Sequence, residues 1–137
     1  MHQQSMRVLI VDDSPDDVEL LRIEFEREGY KPVFRRVDTE GDLREALHAA
    51  EWDMIIADDS MPAFNALRAL DTIKRSGRDI PFIICSGTMK PHSAAMAMRE
   101  GAHDFVEKGD FARLIPSVER ELKNAAVRKA MKGRARI

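Results

Sequence analysis

Asp53-Met54-Ile55-Ile56-Ala57-Asp58-Asp59-Ser60-Met61-Pro62 is the stretch whose reading decides the fold. Four consecutive apolar residues, 54–57, read as a strand buried on both faces, as strands of a parallel sheet are. Core packing gives no reason for the two carboxylates that end it, and a buried carboxylate is costly unless it is paired or bound to a cation. Asp58 is therefore read as a chemical group, a nucleophile that accepts a phosphoryl group.

Upstream, residues 7–11 (Arg-Val-Leu-Ile-Val) form a second apolar run ending in acids, Asp12-Asp13-Ser14-Pro15-Asp16-Asp17. Ser14 with Asp17 has capping-box spacing, and Pro15 at the first helical position loses no needed donor. Val18, Leu21 and Phe25 then recur on one helical face, and Gly29 supplies the stop. Residues 33–37, made polar by Arg35 and Arg36, read as an edge strand. Thr39 and Asp42 repeat the capping signal before Leu43, Ala46, Leu47 and Ala50.

Downstream, Ala66, Leu70 and Ile73 predict a third helix ending near Gly77. Residues 80–85 predict a strand leading to Ser86-Gly87-Thr88. Ala94, Ala97 and Met98 predict one face of a fourth helix stopped by Gly101, and residues 104–108 a short fifth strand. Asp110 can cap a last helix with Val118, Leu122, Ala125 and Ala126 as its buried stripe. Pro116 is expected near the start of its regular part, since a proline deep inside a helix costs about 3 kcal/mol.

Five strand–helix units in succession imply a doubly wound parallel sheet with helices on both faces. Ligands of such sheets sit beyond the carboxyl ends of the strands, where strand order reverses. Asp12 and Asp13, Asp58, Ser86 and Lys108 all fall at those ends. Taken singly, the acids are helix caps, Ser86 a turn hydroxyl and Lys108 a surface cation; together they form a site. Crowded carboxylates repel one another unless a cation is present. Oxygen ligands without His or Cys suit Mg²⁺, or Mn²⁺. Lys108 and Ser86 offer a cation and a hydroxyl donor to the oxygens of a phosphoryl group on Asp58.

The length of 137 residues, net charge of −2, 44% hydrophobic and 34% charged content fit one globular domain. No apolar run approaches a membrane span, and residues 1–5 lack the regions of a signal peptide and read as a flexible leader. A cytoplasmic location without membrane contact is expected, and the lone Cys85 reads as a small core residue. His2, His48, His92 and His103 show no ligand spacing, and Trp52 is expected to cover the start of the third strand. The basic residues Arg128, Lys129, Lys132, Arg134 and Arg136 read as a solvated tail or the start of a linker helix, with no companion signal for nucleic acid.

Val-Asp-Asp at 11–13, the stretch 53–62, Ile-Pro-Phe-Ile-Ile-Cys-Ser-Gly at 80–87 and Gly-Ala-His-Asp-Phe-Val-Glu-Lys at 101–108 resemble a receiver domain of bacterial two-component signalling, over residues 6–126. The resemblance implies a flavodoxin-like (βα)5 sheet in the order 2-1-3-4-5, with 127–137 as tail or linker helix. It further implies Asp58 as phosphoacceptor, Asp13 as a direct Mg²⁺ ligand with Asp12 acting through water, and the Ser60 backbone carbonyl as a further ligand. Lys108 and Ser86 match the phosphate-sensing positions and Phe105 the switch aromatic. The implied partner is a histidine kinase or histidine phosphotransfer protein, and the implied output face is helix 4, strand 5 and helix 5, where a homodimer could also form. Such a receiver is a signalling module that catalyses only its own phosphorylation and dephosphorylation, alone or as part of a larger sensor protein.

Gly109 replaces the proline usual after the lysine, and Ala66 a usual glycine. These departures keep open an unphosphorylated, protein-binding scaffold. An aspartyl-phosphate phosphohydrolase would need an acid at position 60, which is Ser.

Overall fold

The computed structural model describes residues 5–61, 64–87 and 90–135. Residues 1–4 with His2, Pro62 of the turn after strand 3, Thr88, and Arg136 of the tail lie outside the described residues. Five strands alternate with five helices: β1 Ser5–Val11, α1 Pro15–Arg27, β2 Lys31–Val37, α2 Glu40–Ala49, β3 Met54–Asp58, α3 Ala66–Arg75, β4 Phe82–Ser86, α4 Pro91–Glu100, β5 Asp104–Glu107 and α5 Phe111–Ala135. All strand pairings are parallel, in the order β2-β1-β3-β4-β5. This is the doubly wound sheet that the alternation implied, in the flavodoxin-like order that the resemblance implied.

Side chains of a strand alternate between the two faces of its sheet, and the core divides accordingly. Leu9, Ile55, Ile84 and Phe105 face α2, α3 and α4, where Leu43, Ala69, Leu70 and Ala97 meet them. Val8, Ile10, Ile56, Ile83 and Val106 face α1 and α5, against Leu21, Phe25, Leu114 and Val118. β3 and β4 are buried throughout and β1 from Val8 to Val11, so within those stretches polar residues wait for the carboxyl ends.

The predicted caps form. Ser14 Oγ accepts from the Asp17 amide, Thr39 Oγ1 from the Asp42 amide, and Asn65 caps α3, so Ala66 opens that helix without strain. Trp52 is buried at the start of β3 and donates from Nε1 to the Ala46 carbonyl at 2.9 Å. Cys85 is a buried core residue whose thiol burial pushes up to about 12.

Three local expectations change. Pro116 lies inside α5, at its sixth residue, not near its start. Ala112 and Pro116 are both exposed, so water can serve the carbonyl that loses its i+4 donor. Met98 and Ala126 are exposed, outside the stripes where periodicity put them. α5 continues well past the sheet, about 37 Å in all at 1.5 Å per residue; Arg128 Nε, 2.9 Å from Asp79, ties this extension to the loop before β4. Among the described residues no helix is long and apolar enough to cross a membrane.

Candidate functional site

Strand order reverses between β1 and β3, and Asp12 and Asp58 stand at the carboxyl ends of those two strands. Each is only 4% exposed. Asp58 Oδ1 accepts from the Ser60 amide at 3.0 Å and the Ser60 hydroxyl at 2.8 Å. Its Oδ2 accepts from Lys108 Nζ at 3.3 Å. Lys108 comes in from just beyond β5, where its amide donates to the Ser86 carbonyl at 2.7 Å.

The third acid of the cluster is one the sequence reading assigned to a cap. Asp17, in the first turn of α1, lies 2.5 Å from Lys108 Nζ through Oδ2, and Asp12 Oδ2 lies 3.8 Å from the same nitrogen. Carboxylate oxygens of Asp12, Asp17 and Asp58 lie within 4.8 Å of one another. In a full capping box Asp17 would accept from the Ser14 amide; here Asp12 Oδ1 takes that amide at 2.8 Å, leaving Asp17 for the lysine. The sequence held a signal for this: Asp17 stands four residues before buried Leu21, on the edge of the inward stripe. Asp13 is exposed and does not join the cluster.

Electrostatics follow the geometry. Burial pushes Asp12 up to about 6; the Ser14 amide and Lys108 resist, while Asp58 and Asp17 add to the rise. Burial would lower Lys108, but the hydrogen bond to Asp17 and the charges of Asp12, Asp58 and Asp17 outweigh it and hold the ammonium above its usual range. Ser86 is buried at the end of β4, and its side chain hydrogen-bonds Asp59. Burial raises Asp59, the Ser86 bond opposes it and Asp58 reinforces it. Phe105 is buried in the core between β5, α3 and α4. Asp12, Asp58 and Lys108 thus meet at one end of the sheet, with Ser86 tied in through Asp59 and the Lys108 amide and Gly109 in the loop that follows.

Gly109 has φ +89°, a conformation closed to proline, whose ring fixes φ near −65°. The replacement of proline is therefore a change of loop geometry, and no cis peptide bond occurs among the described residues. None of the histidines belongs to a metal-holding group among the described residues; His103 accepts the Phe82 amide on Nδ1.

Residues 8–119 match the family model described as the response regulator receiver domain. The chain is similar to the response regulator SaeR of Staphylococcus aureus, at 35% identity over 101 residues, which are 74% of this chain and 43% of that protein. It therefore spans less than half the length of the curated relatives it matches. A signal receiver domain assigned to a Luxo repressor protein of Vibrio parahaemolyticus superposes with a TM-score of 0.81 at 27% identity, covering 93% of this chain and 97% of that one. The receiver domain of the sensor histidine kinase PA1611 of Pseudomonas aeruginosa, solved with a magnesium ion in its active-site cleft, shares the fold at a TM-score of 0.71 and 19% identity, covering 87% of this chain and 98% of that one. With the acidic pocket at the strand ends, these matches establish that the chain belongs to the response regulator receiver domain family.

Proposed function

We propose that Asp58 accepts a phosphoryl group from a phosphohistidine of a histidine kinase or histidine phosphotransfer protein, and that its phosphorylation state controls protein contacts. The observation that supports this best is a buried carboxylate at the end of β3 with a lysine ammonium 3.3 Å from its Oδ2. Oδ1 accepts two hydrogen bonds from Ser60 and Oδ2 one longer contact from Lys108, so Oδ2 is the less committed oxygen for attack. The new O–P bond forms as the histidine N–P bond breaks, and the bonding pair returns to the imidazole nitrogen. Lys108 Nζ and the Ser86 hydroxyl are the donors that can then meet the phosphoryl oxygens.

The donor set fits Mg²⁺: three close carboxylates against one ammonium leave an excess of negative charge, with oxygen ligands only. Asp12, Asp58 and the Ser60 carbonyl, with Asp13 or Asp17, would hold the ion; Mn²⁺ suits the same oxygens. When bound it supplies neutralisation of the charge on the transferring group.

The output face in this reading is α4, β5 and α5. Departure of Ser86 from Asp59 and a change in the packing of Phe105 would alter it, and exposed Met96 and Met98 on α4 offer apolar area to a partner or second copy. The phosphoryl group need supply only a few kcal/mol of differential interaction to shift such an equilibrium.

The test is transfer from a labelled phosphohistidine phosphotransfer protein. Wild type takes the label with Mg²⁺ and Asp58→Asn does not; label on Asp58→Asn would overturn the reading.

A further inference from the structure

The ammonium of Lys108 is closer to Asp17 than to the phosphoacceptor, at 2.5 Å against 3.3 Å. Asp17 is the third residue of α1, with its backbone amide capped by Ser14 and that cap completed by Asp12. Lys108 sits in the β5–α5 connection, anchored by its amide to Ser86 and followed by Gly109 at positive φ. The pair therefore joins the start of α1 to the segment that must respond when Asp58 changes charge. An ammonium has three donors, and three carboxylates compete for them here. A phosphoryl group on Asp58 brings further charge and acceptor oxygens, and Lys108 can meet them fully only by loosening its hold on Asp17.

We propose that Asp17 is a positioning residue that retains Lys108 in the unphosphorylated chain, so that the strength of this pair sets how readily the phosphorylated state is reached. This rests on the reading of Asp58 as phosphoacceptor. Asp17 lies within the first turn of α1, not at a strand end, and its side chain takes no part in the cap, which Ser14 and Asp12 complete. The retained lysine also stands in as cation among the three acids.

Beryllofluoride, an analogue of the phosphoryl group, tests this at saturating Mg²⁺ by two-dimensional NMR, which also reports that each variant is folded. Asp17→Asn removes one ion pair from the resting state and is expected to tighten the complex about 5-fold, the scale of a partly exposed pair. Asp17→Ser, which also suits a first helical turn, gives the same tightening. Asp16→Asn removes an exposed charge from the same turn and leaves affinity unchanged. A purely structural role, or a role for Asp17 as an indispensable metal ligand, predicts weaker binding. Unchanged or weaker binding in Asp17→Asn and Asp17→Ser, with wild type responding, overturns the inference alone, as does equal tightening in Asp16→Asn. No response by wild type overturns the phosphoacceptor reading and this inference with it.

Discussion

Lys108 Nζ stands 3.3 Å from Asp58 Oδ2, a contact between residues 50 positions apart that closes the site from β5 onto β3. The ammonium also lies among Asp12 and Asp17, where a divalent cation would be drawn. Removing it relieves competition for the same oxygens. Lys108→Met is expected to raise Mg²⁺ affinity about ten-fold, measured by calorimetry, because even a screened charge a few ångströms away is worth on the order of 1 kcal/mol. Weaker Mg²⁺ binding in that variant would show that the lysine organises the carboxylates rather than competing for them.

Asp12 makes the site sensitive to pH. Burial first, then Asp58 and Asp17, push it up to about 6 in the folded chain against an ordinary 3.8. A carboxylate raised on folding favours the native state when protonated, so without metal its contribution to stability is full below about 4 and is lost as pH rises through about 6. A metal needs the ionised form, so Mg²⁺ affinity should fall as pH drops below about 6. Titrations at several pH values check this, and Asp12→Asn should flatten the dependence.

Gly109 carries φ +89° with open space where a Cβ would stand. The cost of substitution there is backbone conformation alone. Gly109→Ala should lose about 1 kcal/mol of stability in urea denaturation, and Gly109→Pro more, with displacement of Lys108. A neutral Gly109→Pro would mean that the loop adopts the proline form at no cost.

Asp104 binds β5 to α5 from beside Phe105. It accepts from Ser117 Oγ at 2.5 Å and from Arg120 at 2.8 Å, and from the Phe105 amide at 2.8 Å. Burial raises this acid, but those bonds outweigh it and hold it below the usual range. Its contribution is therefore present above about 4 and lost as pH falls through the lowered value. Asp104→Ala leaves buried Ser117 without its acceptor and should destabilise by about 2 kcal/mol in thermal or urea unfolding. An effect near zero would exclude Asp104 as the tie between these elements.

The strand ends were legible in the sequence because both faces of β1, β3 and β4 are buried, so an acid or hydroxyl there has few structural reasons. Asp12, Asp13, Asp58 and Ser86 stood out on that ground and Lys108 by its place after β5; the structure gathers all of them but Asp13, which is exposed. Asp17 did not stand out, since a helix start asks for acids anyway and its distinguishing contact lies 91 positions away in Lys108. Met98 and Ala126 were misplaced because apolar spacing alone cannot tell a packed helical face from one left in solvent. Pro116 reads as nearer the helix start because the sequence does not show that its turn faces water.

Everything proposed for this site depends on the role of Asp58 as the phosphoacceptor. Intact mass spectrometry after incubation with Mg²⁺ and a small acyl phosphate tests it most directly. One added phosphoryl group is expected on wild type, absent when Mg²⁺ is chelated and absent in Asp58→Asn. No adduct on wild type, or an undiminished adduct on Asp58→Asn, would overturn the phosphoacceptor role of Asp58.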